Sequence, residues 1–194
     1  MKEGQEELDR LRRLAAKDPL TNLWNASYVN QKIIRILAEN PGKEYAIIIF
    51  DLDYFKNVND ERGHSFGDRV LKYFAEQLSQ NIRREALAAR ISGDEFLVMM
   101  VCDETLEQEV KRLYKAVTGK YDGFKVSVSM GIAKTSSIGR DFRELYHCAD
   151  MALSDAKNKG QGCYTIYSRE TCQKNRPTAI SPIDRDSAEK GRKL

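Results

Sequence analysis

The chain has 194 residues, 41% of them apolar, with 32 Lys/Arg against 29 Asp/Glu and a formal net charge of +3. This fits one soluble globular domain with room for a substantial core, and no run of about 18 apolar residues is present to span a membrane. From Arg169 onward seven Lys/Arg face four Asp/Glu, a surplus equal to the whole net charge. The rest is balanced, which argues against a broad nucleic-acid-binding face, so any affinity for phosphates must come from a few placed residues.

The N-terminus is charged from Met1 to Arg13 and lacks the apolar stretch of a secretory signal. Residues 5–16 read as a helix with Leu8, Leu11 and Leu14 on one stripe. It is too short to be stable alone. Two readings stand: the end of a stalk or coiled coil leading in from an upstream module, or a helix docked on its own domain. Ser27 is placed to cap a second helix with Val29, Ile33, Ile36 and Leu37 inward, ended by Pro41-Gly42. Ala46–Phe50 is a continuous apolar run, as in a strand buried on both faces, and it stops abruptly in Asp51-Leu52-Asp53. Residues 66–80 have helical periodicity, with Val70, Leu71, Phe74 and Leu78 inward. Ala86–Ile91 and Phe96–Val101 read as strands joined by the polar link Ser92-Gly93-Asp94-Glu95, a hairpin turn. A helix over 104–118, an alternating strand over 126–133, a helix over 142–159 and a short strand over 164–167 complete the pattern. From Arg169 the chain is polar, and disorder is expected there.

From Ala46 the order strand, helix, strand, strand, helix, strand is the split βαβ arrangement. It predicts an α+β fold with a ferredoxin-like core, an antiparallel sheet with helices on one face. The first core strand and the 92–95 hairpin then become neighbours, which brings Asp51 close to Asp94 and Glu95. Cys102, Cys148, Cys163 and Cys172 form no C-x-x-C pair, and with two histidines no zinc site assembles. Scattered thiols suit a reducing cytoplasm.

Asp51, Asp53, Asp94 and Glu95 stand at the edges of apolar strands, where an unpartnered buried charge is costly. Hard oxygens converging from two strand ends suit Mg²⁺ or Mn²⁺, above all where substrate phosphates complete the shell. Ordinary turn carboxylates are the competing reading. In the polar stretch Phe55–His64, Lys56 is suited to balancing a phosphate and Asn59 offers both a donor and an acceptor. With Asp68 nearby, the pair suits guanine, whose N1–H and N2–H₂ are donors; turn and capping chemistry is the alternative. For His64 a loop-shaping role fits better than a catalytic one.

Phe50-Asp51-Leu52-Asp53-Tyr54-Phe55-Lys56-Asn57-Val58-Asn59-Asp60, Gly63-His64 and Gly67-Asp68 resemble the signature of GGDEF domains, the diguanylate cyclases. Ser92-Gly93-Asp94-Glu95-Phe96 stands where the naming motif falls, as an SGDEF variant. Asp18–Asn25, Ser129–Ala133, Ala149–Leu153 and Ala156–Gly160 resemble further blocks, so the likeness runs from about Asp18 to Tyr167. It implies a stalk or linker over 1–17, a GGDEF domain over 18–168 and a polar tail over 169–194. It further implies that Asp51, Asp94 and the Leu52 carbonyl bind Mg²⁺ or Mn²⁺, with Asp53 supporting the loop. Asn59 and Asp68 are implied to read guanine, Phe55, Lys56 and Lys157 to line the phosphates, and Gly93 to allow close backbone approach. Glu95 is implied to help deprotonate the attacking hydroxyl. The implied reaction joins two GTP, one per protomer of a homodimer, into cyclic di-GMP with release of pyrophosphate. The resemblance also implies a cytoplasmic place, as part of a larger or membrane-attached sensor with an upstream sensory module. No nucleic acid and no membrane contact by this segment are expected.

Three departures bear on this. Ser92 replaces the first Gly, and Ser costs roughly 1 kcal/mol or more if that backbone needs φ > 0. Gln161 stands where the family usually has Arg, and Ala26 replaces another Arg. The inhibitory product site, Arg-x-x-Asp, reads Arg83-Arg84-Glu85-Ala86, so Arg83 is present but Ala86 replaces the Asp, and product inhibition is not expected. Asp68 is retained, where a mixed-product branch has Ser. The alternative function is a catalytically silent module that binds GTP or a partner protein.

Overall fold

The computed structural model describes residues 15–168. The continuous apolar run forms β2 (Tyr45–Leu52), with side chains from Tyr45 to Phe50 all buried. A strand covered on both faces needs no polar alternation, and both faces are covered. Ala46, Ile48, Phe50 and Leu52 enter one core with Val70, Leu71, Phe74, Leu78, Val110 and Leu113. Ile47 and Ile49 enter the other with Val29, Ile33, Leu37, Leu145, Ala149 and Leu153.

Around β2 run β1 (Trp24–Asn25), β3 (Leu87–Ser92), β4 (Glu95–Val101), β7 (Val128–Lys134) and β8 (Tyr164–Ile166), in the order β1-β3-β4-β2-β7-β8. The four central strands β3-β4-β2-β7 pair antiparallel, as the split βαβ order requires. The edge strands β1 and β8 pair parallel with β3 and β7, so the whole sheet is mixed. The helices are α1 (Ala26–Glu39), α2 (Phe55–Arg62), α3 (His64–Asn81), α4 (Leu106–Val117), α5 (Thr135–Ile138) and α6 (Phe142–Asn158). The core helices α3 and α4 share one face of the sheet, and α1 and α6 cover the other. A small separate hairpin, β5 (Gly119–Tyr121) with β6 (Phe124–Val126), follows α4.

Several local expectations need correction. Asn25, not Ser27, caps α1, its side chain accepting from the Tyr28 N–H at 3.0 Å. The stretch after Asp53 is helical from Phe55 to Arg62, although only Val58 is buried in it. The strand expected over 126–133 is broken at Ser127, between β6 and β7. Most of the 5–16 helix, with its stripe of leucines, and the tail from Arg169 lie outside the described residues. Among the described residues no helix is long and apolar enough to cross a membrane.

Candidate active site at the ends of β2 and β4

The predicted carboxylates meet because β2 and the β3–β4 hairpin are neighbours. Ser92 pairs with Glu95 across the turn, Glu95 with Asp51, and Asp51 with Ser129, a row across β3, β4, β2 and β7. Residues directly paired on adjacent strands share a face, so Glu95 and Asp51 stand side by side. Asp94 lies in the turn, where its carbonyl accepts the Leu52 N–H at 3.3 Å. The left-handed residue is Gly93, at φ +39, while Ser92 has no positive φ, so the variant first position carries no such strain.

Burial, first of all, raises the Asp51 carboxyl above the usual carboxylate range; Lys157 opposes this, and Glu95 and Asp53 add to it. Asp94 is raised by burial and then by the Asp51 charge. Two like charges crowded at strand ends need a cation. Lys157 of α6 supplies one, its Nζ lying 2.8 Å from Asp51 Oδ2. No group of three or more His, Cys, Asp or Glu side chains converges as a metal cage among the described residues. Two carboxylates are a partial set of hard oxygens, which suits Mg²⁺ or Mn²⁺ only when backbone carbonyl, phosphate or water oxygens complete the shell.

Asp53 is buried and its carboxylate is fully engaged elsewhere. Its carboxylate accepts from Ser127 Oγ at 2.6 Å, Ser129 Oγ at 2.6 Å and the Gly162 N–H at 2.9 Å. This network is absent from the expectations that the sequence supports. The available signal was the pair of serines at alternate positions in an otherwise apolar strand.

Tyr54 begins α2 at φ 60 without a side-chain cap. The first N–H groups of α2 are therefore without a capping side chain, a setting that favours an anion. Phe55 and Lys56 occupy this first turn, with Lys56 exposed. Asn59 sits against Gly67 of α3, where a methyl group would come 2.0 Å from Asn59 Oδ1 and 3.1 Å from Phe55 Cζ. Asp68 follows and is exposed. The tight α2–α3 corner at Gly63, φ +81, thus sets Asn59 against the turn of α3 that carries Asp68.

Gly160, Gln161 and Gly162 are all left-handed, at φ 113, 63 and 58. Gln161 Oε1 is buried and finds no hydrogen-bond partner among the described residues. A cleft of about 660 Å³ opens between Tyr54, Tyr114, Lys125 and Gln161; Asp51, Asp94 and Asn59 do not line it. Arg83 is remote from all of this in its bonding. Its guanidinium meets Asp103 Oδ2 at 2.8 Å and Glu109 Oε2 at 2.9 Å. Those contacts raise the Arg83 pKa and hold Asp103 well below the usual carboxylate range.

The family model described as "Diguanylate cyclase, GGDEF domain" matches residues 15–163. The probable diguanylate cyclase DgcT of Escherichia coli K12 is 32% identical over 157 residues, 76% of this chain and 35% of that protein. Diguanylate cyclase DgcS of Shewanella oneidensis is 34% identical over 154 residues, covering 77% and 52%. The chain thus spans from about a third to about half of the length of these relatives. A crystal structure of the coiled coil and GGDEF domain of DgcB from Caulobacter crescentus, in complex with c-di-GMP, superposes with a TM-score of 0.77 at 26% identity, covering 85% of this chain and 92% of that one.

Proposed function

The chain belongs to the GGDEF domain family, and from that membership we propose that it is an active diguanylate cyclase, condensing two GTP into cyclic di-GMP across a pair of domains. The observation that carries the reading is the crowding of Asp51 and Asp94 at adjacent strand ends beside Lys157. Asp51, Asp94 and the Leu52 carbonyl would hold Mg²⁺ or Mn²⁺, whose chemistry there is to offset charge on the triphosphate.

Asn59 and Asp68 read the guanine edge, Asp68 accepting from the base donors. The amides that open α2, with Lys56 and Lys157, hold the phosphates, and Gly93 lets the backbone approach the nucleotide. Glu95 takes the proton of the attacking 3′-hydroxyl. The O3′–Pα bond forms to the GTP of the facing domain, the bond from that phosphorus to the bridging oxygen breaks, and pyrophosphate leaves. A second, identical step closes the ring. Most of the acceleration is positioning and electrostatics. The unit carrying this chemistry is residues 18–168, set in a larger cytoplasmic sensor.

The uncharged Gln161, at a position the family usually gives to Arg, favours one other reading: a silent module that binds GTP without turning it over. Incubation with GTP and Mg²⁺, with product identified by mass, separates the two. Cyclic di-GMP with steady pyrophosphate release, abolished in Asp94→Ala, supports the cyclase; GTP binding with no release supports the silent module. From a GTP/ATP mixture, Asp68 predicts the guanine-only product.

A further inference from the structure

Ser92 is the residue by which this hairpin departs from the motif it resembles, and its side chain has a definite use. Its Oγ donates to Glu95 Oε2 at 2.9 Å. The two residues face each other across the two-residue turn Gly93-Asp94 and share a face of the sheet. On its other side Glu95 is paired with Asp51, a like charge directly opposite. Such a pair repels, and a glutamate has three side-chain torsions through which to move. The hydroxyl draws the carboxylate toward the β3 side of the row. The turn itself is anchored from below: Arg90 Nε donates to the Gly93 carbonyl at 2.9 Å, and Arg90 is held in turn by Asp18 at 3.3 Å. The donor therefore sits on a fixed base.

We propose that Ser92 is a positioning residue for Glu95. Its hydroxyl holds one carboxylate oxygen so that the other is presented to the substrate hydroxyl and kept apart from Asp51. A glycine at this position leaves the glutamate without that hold. The inference rests on the cyclase reading above. It assigns to the SGDEF sequence a gain, where the sequence pattern alone suggests a defect.

The test is steady-state pyrophosphate release with GTP and Mg²⁺ by the full chain, for wild type, Ser92→Ala, Ser92→Gly, Ser92→Thr, Glu95→Gln and the double variant Ser92→Ala/Glu95→Gln. Ser92→Ala and Ser92→Gly are expected to lower kcat about 3- to 10-fold with KM changed less than about two-fold, because only a reaction-step contact is lost. Ser92→Thr, which keeps a hydroxyl, is expected to recover most of the loss. In the Glu95→Gln background, Ser92→Ala is expected to cost nothing further. Undiminished turnover in Ser92→Ala or Ser92→Gly, an equal loss in Ser92→Thr, or the same loss with Glu95 already replaced overturns this inference and leaves the cyclase reading intact. No pyrophosphate from wild type overturns both.

Discussion

Asp94 carries an electrostatic cost in the absence of ligand, since burial and the Asp51 charge both raise its carboxyl. A carboxyl raised on folding destabilises above its folded value, and the cost fades as pH falls through that value. Asp94→Asn is therefore expected to lift the thermal midpoint at pH 7, by an amount that solvent screening reduces at this half-buried site and that shrinks in acid. The same change is expected to lower pyrophosphate release at least about 100-fold. Scanning calorimetry at two pH values and the turnover assay check the two halves. At Gly67 the expected signature is different. A methyl group there meets two side chains and no backbone, Asn59 Oδ1 at 2.0 Å and Phe55 Cζ at 3.1 Å, and alanine favours a helix interior by up to about 1 kcal/mol. Gly67→Ala is expected to leave the midpoint unchanged or higher while raising KM for GTP about ten-fold, because the Asn59 amide proposed to read guanine is displaced. The meeting of Asp51, Asp94 and Glu95 was legible in the sequence, because an apolar run that ends in Asp-Leu-Asp and a polar four-residue link fix which strand ends are neighbours. The setting of Asp53 was not. Its partners Ser127, Ser129 and Gly162 lie 74, 76 and 109 residues away in the chain, and nothing in local periodicity measures such distances.

The long elements were readable wherever packing imposes a period. Thus α3 shows as a stripe of Val70, Leu71, Phe74 and Leu78, and α4 as a helical period over 104–118 whose Val110 and Leu113 are buried here. The polar helix α2 buries only Val58, so no apolar stripe existed to find; its helicity comes from tertiary placement between β2 and α3. The β5–β6 hairpin left a clearer trace, the Asp122-Gly123 pair, both at positive φ, but strands of three residues are too short to show alternation. Arg83 illustrates a different limit. The sequence shows that Ala86 cannot replace an acceptor, whereas only the structure shows that Asp103 and Glu109 already hold the guanidinium. Arg83→Ala is accordingly expected to leave the affinity for cyclic di-GMP within about two-fold of wild type by isothermal titration. A large loss of binding defeats that expectation. Between β7 and α6 the contact is backbone to backbone. A methyl group on Gly131 would lie 2.0 Å from the Ala149 carbonyl oxygen and 2.3 Å from the Leu153 nitrogen. Gly131→Ala is expected to destabilise by about 3 kcal/mol or more in urea unfolding, since neither partner is a flexible side chain.

At the scale of the whole molecule, the proposed reaction needs two nucleotides and each domain holds one, so assembly and chemistry are coupled. Specific activity is expected to rise with protein concentration, in direct proportion while the pair is a minor species. A rate per mole that is flat from nanomolar to micromolar protein excludes a transient pair as the active form. The near balance of charge outside the tail removes the broad repulsion that a strongly charged surface would set against such pairing. The Gly131 seam has a bearing on this larger geometry. Lys157 lies one helical turn beyond Leu153 on the same side of α6, so the seam acts as a datum surface for the amine that meets Asp51. Helix and sheet touch there without an intervening side chain, and so no repacking of residues is available to re-aim it. In the proposed reaction, variation that tunes this centre is left to the loops and to the facing domain, because the mounting of the lysine has no adjustment.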